Sequence, residues 1–185
     1  MNLKLQGKSI ILRPLKKSDV PSIFKYTKFP DIPRYTFVPS PNTVENIEKF
    51  IKSCHLSARK GTTYVFGITE PDVDEVIGTI AILGINAVHK KAVIGYWLAK
   101  KFRGRGIMPE SISLVLRFCF KELKLQRVQA ATLPDNVISQ KLLKTCGFKY
   151  EGRHRNYFFH RKRIKDAYMY AITIGDYRAM QRKKN

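Results

Sequence analysis

Residues 94–110 read I-G-Y-W-L-A-K-K-F-R-G-R-G-I-M-P-E, and this stretch decides the fold. Its pattern predicts a strand that ends at Ala99, a basic glycine turn, and a helix that begins near Met108. The first N–H groups of a helix lack intrahelical partners and carry the positive end of its dipole, so they attract anions. Gly104 and Gly106 let the backbone approach a ligand without a Cβ in the way. The stretch therefore predicts an anion site built from backbone.

The charges around this turn indicate which anion it would hold. Four cations favour a polyphosphate there: Lys100, Lys101, Arg103 and Arg105. The turn lacks the Gly-Lys-Ser/Thr of a Walker loop and the Gly-x-Gly-x-x-Gly of a dinucleotide-binding fold. We therefore expect a phosphate that belongs to another class of ligand.

The composition describes a strongly basic chain of 185 residues, a length typical of one domain with a real core. Lys and Arg number 35 against 14 acidic residues, which gives a net charge of +21. Because the excess is spread along the chain, we expect it on the folded surface rather than in a tail. Such a charge attracts nucleic acid, ribosomes, anionic membranes or acidic proteins, and the alternative that it only maintains solubility stays open.

The cysteines, the histidines and the N-terminus bound the class of protein. Cys54, Cys119 and Cys146 are odd in number and far apart, which predicts neither a disulfide framework nor a zinc site. The four histidines have no metal-ligand spacing. The N-terminus has no apolar signal-peptide region, and the longest apolar stretch is too short for a bilayer. We therefore expect a soluble cytoplasmic protein with no metal and no membrane contact.

The remaining pattern predicts an α/β fold with a mixed sheet of six or seven strands and about four helices. Helices are expected after Asp19, Thr43 and Asn136, besides the one near Met108, with Val44 and Ile138 among the residues on the inward faces. A basic loop, 153–165, is expected between the last two strands. The domain is expected to span 1–180, with a frayed basic tail at 181–185. The predicted strands are 9–15, 62–69, 76–85, 92–99, 127–133, 148–153 and 167–174.

Three segments taken together match one family. They are the strand–R-G-R-G-I–helix unit, the helix D-N-V-I-S-Q-K-L-L-K-T-C-G-F at 135–148, and the opening L-R-P-L-K-K-S-D at 12–19. In this order and spacing the chain resembles the GNAT N-acetyltransferases over nearly its whole length. The branch it resembles most is the RimJ/RimL type, which acetylates the N-terminal amines of ribosomal proteins.

The resemblance implies a single-domain GNAT fold whose central sheet is splayed, with acetyl-coenzyme A in the V-shaped gap. Main-chain groups of Trp97, Leu98 and Ala99 would bind the pantetheine arm as an added strand would. Asn136 and Ser139 match family positions that face the cofactor arm and its sulfur. From the residues alone, Asn136 is equally well explained as a helix N-cap. The backbone N–H groups implied to hold the pyrophosphate are those of Arg103, Gly104, Arg105, Gly106, Ile107 and Met108.

Acetyl transfer needs a neutral amine, a polarised thioester carbonyl and a stabilised leaving thiolate. A backbone N–H near Leu98 is the candidate for polarising the carbonyl. Many family members place a tyrosine where this chain has Leu143, so that general acid is absent. The RimL-like alternative is a serine on the same helix, and Ser139 fits it by spacing. Ser139 is therefore the predicted catalytic residue.

The general base is the weakest part of the match. Val93 and Phe158 occupy positions where relatives carry a carboxylate. Glu110 is present, but complementation of the helix dipole explains it better than catalysis does. His154 and His160 lie in the predicted basic loop, where a surface role is favoured over a role as base. Water activated by backbone carbonyls is a further route.

These observations favour an enzyme that moves an acetyl group from acetyl-coenzyme A to a protein N-terminus such as that of a ribosomal protein. Polyamines and aminoglycoside antibiotics rank second as acceptors, because a chain of charge +21 repels polycations. A different reading is a catalytically impaired coenzyme A-binding regulator associated with RNA or ribosomes. The loop 153–165 interleaves cations with aromatic residues, which suits RNA contact. Two questions stay open: whether the protein forms a homodimer, and whether it transfers an acyl group longer than acetyl.

Overall fold

The computed structural model describes residues 3–182 as a single-domain α/β fold. Within them one mixed sheet has eight strands in the order β1-β2-β3-β4-β5-β6-β8-β7. The strands are β1 Leu5–Gln6, β2 Ile11–Pro14, β3 Tyr64–Glu70, β4 Val73–Asn86, β5 Lys91–Leu98, β6 Arg127–Thr132, β7 Lys149–His160 and β8 Arg163–Thr173. The α-helices are α1 Val20–Thr27, α2 Val44–Arg59, α3 Ile107–Arg117, α4 Val137–Thr145 and α5 Ile174–Arg182.

This architecture confirms the predicted mixed α/β sheet and adds an element at each end. The strand β1 has two residues, too few to give a periodic signal. The helix α5 continues through Arg182, so the tail predicted from 181 begins as helix, and residues 183–185 lie outside the described residues. Asp176 starts this helix by accepting hydrogen bonds from the backbone N–H (3.0 Å) and hydroxyl (2.6 Å) of Thr173. Tyr177 then anchors it in the core.

The sheet is splayed between β5 and β6. These two strands pair in parallel at three positions, the last of them Val93 with Gln129. Beyond that point β5 continues to Leu98 against β4, while β6 continues to Thr132 against β8. The facing edges of residues 94–98 and 130–132 are therefore separated by a wedge-shaped gap, as the resemblance implied.

Helices cover both faces of the sheet. The apolar stripe of α3 is buried: Ile112, Val115 and Leu116 are at most 1% exposed. The predicted inward positions Val44 and Ile138 were wrong, because these side chains are 48% and 75% exposed. Each lies in the first turn of its helix, where the apolar stripe has not yet turned toward the sheet. Periodicity places a residue on a face but not at the depth where the helix meets its partner.

The last two strands differ most from expectation. The segment 153–165 is not a loop, because β7 continues to His160 and β8 starts at Arg163. A bulge interrupts their register between His154 and Phe158. Asp166 supports it by accepting hydrogen bonds from the Asn156 N–H (2.9 Å) and from Arg153 Nε (2.5 Å). The extra bulge residues break the two-residue alternation, which is why the sequence suggested a loop.

A buried ion pair fixes the start of α1. Asp19 stands at the N-cap position, but its carboxylate does not cap the helix. It binds both terminal nitrogens of Arg13 at 2.8 Å and accepts the Lys16 N–H at 2.6 Å. Arg13 Nε also contacts Asp74 at 2.5 Å. The pair therefore joins β2, α1 and β4 beneath the surface.

Candidate functional site

One wall of the gap is the free edge of β5. The Ala99 N–H donates to the Ile77 carbonyl at 2.9 Å, which extends the β4–β5 ladder in register. Successive residues of a strand direct their backbone groups to opposite neighbours. Tyr96 and Leu98 therefore direct theirs toward the side of β6, which has already diverged. This edge can accept an extended ligand as an additional strand.

This geometry revises which main-chain groups can bind the pantetheine arm. The Ala99 N–H is already bonded within the sheet, and the same alternation directs Trp97 toward β4. Of the three predicted residues, Leu98 alone presents its backbone to the gap. The backbone of Tyr96 also faces the gap, so Tyr96 replaces Trp97 and Ala99 as a candidate for binding the arm. The Leu98 carbonyl also accepts a hydrogen bond from Arg103 Nε at 3.0 Å.

The predicted glycine turn has a left-handed backbone at both of its glycines. Gly104 and Gly106 have φ of 79° and 75°, a region that favours glycine. The Arg103 N–H was predicted to bind the ligand. It is instead occupied, because it donates to the Lys100 carbonyl at 3.2 Å. In the described part of the chain, five successive backbone N–H groups have no hydrogen-bond acceptor: those of Gly104, Arg105, Gly106, Ile107 and Met108. These groups lie at the start of α3, where they could together hold an anion.

The arginine side chains of the turn have acidic partners. Arg103 pairs with Asp31 at 2.9 Å, and Arg105 pairs with Glu70 at 2.7 Å. Both pairs are partly exposed, so each contributes little to stability. They do reduce the positive charge that an incoming phosphate meets. The anion site therefore depends on the backbone N–H groups more than on the guanidinium groups.

Two hydroxyl groups meet across the gap. The Tyr96 hydroxyl on β5 lies 2.8 Å from Ser139 Oγ on α4, and either oxygen can donate. Asn136 positions this helix as its N-cap, because its side-chain oxygen accepts the Ser139 N–H at 3.3 Å. Burial raises the pKa of Tyr96, while its hydrogen bond with Ser139 opposes that shift. The phenol therefore stays protonated, so its hydroxyl keeps a hydrogen to share with Ser139.

Tyr96 was missed in the sequence analysis, although it lies in the stretch that decides the fold. Its partner Ser139 is 43 residues away. The one available signal was its place two residues before Leu98, on the same side of β5. That signal needs the divergence of β5 and β6, which no local pattern encodes.

Glu110 has a structural role. Its carboxylate accepts the Ser9 N–H at 3.1 Å and also binds the Ser9 hydroxyl and the Lys8 N–H. Burial alone would raise the pKa of Glu110, but these hydrogen bonds outweigh burial and lower it. The side chain therefore joins the N-terminal segment to α3 and stays ionised.

The two histidines of the hairpin differ. His154 is exposed and packs its ring against Tyr157, as a surface role predicts. A surface role was wrong for His160, which is buried with Nε2 at 3.2 Å from the Pro33 carbonyl and 3.0 Å from the Thr36 carbonyl. Those carbonyls come from the segment after α1, so only the fold brings them together. Neither ring is placed in the gap by these contacts.

The geometry fits a thioester of coenzyme A. The turn supplies N–H groups for a pyrophosphate, the β5 edge suits an amide-containing arm, and the hydroxyl pair lies in the same gap. Among residues 3–182, no group of three or more His, Cys, Asp or Glu side chains could hold a metal ion. Within the same residues, no helix is long and apolar enough to cross a membrane.

Comparison with known proteins agrees with this geometry. The family model described as "Acetyltransferase (GNAT) domain" matches residues 9–149. The chain is 34% identical to a probable N-acetyltransferase, YjcK, of Bacillus subtilis (strain 168), covering 80% of this chain and 84% of that protein. It is 27% identical to the [ribosomal protein uS5]-alanine N-acetyltransferase of Escherichia coli (strain K12), covering 64% and 62% of the two chains.

The fold is also similar to a solved structure of the RimJ type. The structure of Mycobacterium smegmatis RimJ in complex with CoA-disulfide aligns with a TM-score of 0.82 and 25% identity. The alignment covers 90% of this chain and 83% of that one. The chain therefore belongs to the GNAT acetyltransferase family, in its RimJ/RimL-type branch, and is an acetyl-coenzyme A-dependent N-acetyltransferase.

Proposed function

We propose that the enzyme acetylates the α-amino group of a protein N-terminus, with a ribosomal protein as the acceptor. The relative from Escherichia coli acts on an alanine of a ribosomal protein, which supports this class of acceptor. The net charge of +21 suits an acceptor that is acidic or lies beside RNA. The observation that carries the proposal is the gap, which combines an available strand edge with a hydroxyl pair.

The chemistry of the amine also favours an N-terminus. Val93 and Phe158, where relatives place a carboxylate, cannot accept a proton. An α-amine has a pKa of about 7.7–8.0, so about a quarter to two-fifths of it is neutral at pH 7.5. A lysine or polyamine amine, with a pKa of about 10.4, is neutral in only about one molecule in a thousand. A site without these carboxylates therefore fits an α-amine better than a side-chain amine.

The donor would lie along the β5 edge. The proposed contacts are the backbone of Tyr96 and Leu98 for the pantetheine arm and the N–H groups of 104–108 for the pyrophosphate. The Leu98 N–H is the candidate that polarises the thioester carbonyl. The Asn136 side chain already accepts the Ser139 N–H, so its contribution is to fix the start of α4 beside the sulfur.

The hydroxyl pair would protonate the leaving thiolate. As the amine nitrogen bonds to the acetyl carbon, the carbon–sulfur bond breaks and its electron pair stays on sulfur. Ser139 then donates its proton to that sulfur and recovers a proton from Tyr96, 2.8 Å away. The acetylated nitrogen releases its extra proton to water, and water returns a proton to Tyr96. Ser139 is thus the proposed catalytic residue, with Tyr96 as its proton source.

Ser139→Ala and Tyr96→Phe should each lower kcat by about 100-fold, the lower end of what general acid catalysis contributes. The KM for acetyl-coenzyme A should change little, because the proposed contacts that hold the pantetheine arm and the pyrophosphate are backbone groups, and the two hydroxyls act at the sulfur. In the double variant the loss should match the larger single loss rather than the product, since the two hydroxyls act as one unit. Steady-state kinetics measures all three.

Ser53→Ala is the matched control, because Ser53 is an exposed residue of α2 whose hydroxyl donates to the Phe50 carbonyl at 2.7 Å, away from the gap. It should leave kcat unchanged. Unaltered turnover in Ser139→Ala would remove that residue as the acid. Strictly multiplicative losses would show that the hydroxyls act separately.

The acceptor is tested with a panel of amines and acetyl-coenzyme A, with mass spectrometry of the products. The panel contains a peptide with a free N-terminal alanine, the same peptide blocked at its N-terminus but carrying a lysine, and spermidine. Acetylation confined to the free α-amine supports the proposal. Equal or faster modification of lysine or spermidine would overturn the acceptor assignment. Donor binding without transfer to any amine would favour the catalytically impaired alternative.

A further inference from the structure

The distal part of the β7–β8 hairpin, residues 155–165 and here termed the hairpin tip, is strongly basic. The segment 153–165 contains six Lys and Arg residues and no acid. Arg153 pairs with Asp166, which neutralises it. In the described part of the chain, the other five are exposed and have no acidic side chain within salt-bridge distance: Arg155, Arg161, Lys162, Arg163 and Lys165.

Aromatic and apolar side chains point outward between these charges. Phe159 lies opposite Ile164 in the register, so both side chains share one side of the hairpin. They are 69% and 56% exposed. Tyr157, in the bulge, is also exposed. The exposed rings of Tyr157 and Phe159 thus lie close along the chain to the exposed cations of the turn, Arg161 and Lys162.

The opposite side of the tip is attached to the body of the protein. The rings of Phe158 and His160 contact Phe37, with centroid distances of 5.2 Å and 5.6 Å. His160 also lies within hydrogen-bond distance of the Pro33 and Thr36 carbonyls. The outward surface is therefore held in a defined orientation, which lowers the entropic cost of binding a partner.

The two-residue turn at the end of the hairpin has a backbone conformation that does not favour long side chains such as those of Arg161 and Lys162. Arg161 and Lys162 have φ of 51° and 61°, the left-handed region that two-residue hairpin turns require and that Asn-Gly satisfies best. Two long cations there cost conformational energy. A local rule broken in this way is typical of functional positions. The conflict is explained if the charges themselves are needed.

Single-stranded nucleic acid is the partner that uses both kinds of side chain. Phosphates attract the cations, and unpaired bases stack on exposed rings. A duplex keeps its bases stacked internally and would leave the rings unused. An acidic protein would need the cations alone. A membrane would need a larger apolar face than Phe159 and Ile164 provide.

We propose that the hairpin tip binds single-stranded nucleic acid. Arg155, Arg161 and Lys162 contact the phosphates, and Phe159 and Tyr157 stack on bases. This function is separate from acetyl transfer, so either proposal can fail without the other. It would place the enzyme beside exposed RNA or DNA.

The sharpest test is the double variant Arg161→Asn, Lys162→Gly, measured by fluorescence anisotropy with a labelled oligouridine of about twelve nucleotides. It supplies the preferred turn residues, so the melting temperature should rise by about 2–4 °C. It removes two phosphate contacts, so the slope of log affinity against log salt should fall by about 1.4. Higher stability with weaker binding separates the role of the charges from folding. Unchanged affinity and slope would overturn the proposal.

A control for net charge comes from α2. Lys52→Gln with Lys60→Gly also removes two exposed cations, one on α2 and one directly after it, both distant in sequence from the hairpin tip. It should leave the affinity within about twofold, which is within ordinary variation for surface changes. A loss equal to that of the turn variant would show that total charge, and not the hairpin tip, attracts the oligonucleotide.

The stacking part of the proposal is tested with Phe159→Ala and Phe159→Leu. Both should weaken oligouridine binding by about 10-fold, the loss expected for one stacked base, without changing the salt slope. Unchanged affinity in both would reject stacking. Comparing the affinities for single-stranded RNA and DNA of the same sequence shows which of the two the hairpin tip prefers. Equal or tighter binding of the matching duplex, of polyglutamate or of anionic phosphatidylserine vesicles would overturn the assignment to single strands.

Discussion

Gly104→Glu is expected to abolish detectable acetyl-coenzyme A binding, with a loss of affinity of at least about 100-fold. Gly104 has φ of 79°, so any side chain there strains the turn that presents the N–H groups. A glutamate also places a negative charge where the pyrophosphate would lie. Because Asp31 and Glu70 already offset Arg103 and Arg105, few unpaired cations remain to compensate. Titration calorimetry measures the loss directly.

Gly84→Glu is the matched control for this variant. Gly84 has φ of 57°, and a Cβ built there meets no atom within 4 Å, as at Gly104. The strain and the change in charge are therefore similar, but Gly84 lies near the end of β4, away from the turn. Its affinity for acetyl-coenzyme A should stay close to that of the wild type. Unchanged affinity in Gly104→Glu would reject the site.

Asp19→Ala is expected to lower the free energy of unfolding by about 3–5 kcal/mol, the loss typical when one partner of a buried ion pair is removed. The side chains of Arg13 and Asp19 are only 9% and 3% exposed. Without the carboxylate, the guanidinium keeps the exposed Asp74 as its one acidic partner, besides the Pro14 and Asp74 carbonyls, and the Lys16 N–H loses its acceptor. Urea denaturation followed by circular dichroism measures the change.

Asp74→Ala removes the other acidic partner of the same guanidinium and is the control. The Asp74 side chain is 62% exposed, so its loss should cost less than about 1 kcal/mol. Equal costs for the two variants would contradict the view that burial decides the strength of this pair. If Asp19→Ala lowered the free energy of unfolding by less than Asp74→Ala does, the buried pair would not be an anchor of α1.

The sequence predicted best those parts of the site that depend on neighbouring residues. Gly104 and Gly106 reveal the turn because a left-handed backbone favours glycine wherever it occurs. Thr43 and Asn136 reveal helix starts because an N-cap bonds to a backbone N–H three residues away. Each of these signals involves only residues within three or four positions of one another in the sequence.

The parts that could not be predicted depend on residues far apart in the sequence. Tyr96 meets Ser139 only because β5 and β6 diverge, and His160 is buried only because the segment after α1 supplies carbonyl acceptors. The β7 bulge hid a strand by breaking its alternation, while the side chain that supports it is Asp166 on the next strand. In each case the deciding interaction is tertiary, and local propensity does not report it.

The short β5–β6 junction has a consequence for how the chain reaches its native state. Strands β1 to β5 form an antiparallel meander of sequential neighbours, and β6, β8 and β7 form a second antiparallel group. Only three parallel residue pairs join the two groups through the sheet, after a crossover that contains α3. Closing that crossover costs more chain entropy than closing a hairpin does. We infer that the hairpin-linked strands, β3 to β5 in one half and β7 with β8 in the other, assemble first and that the halves join later, at the same seam where the donor would lie.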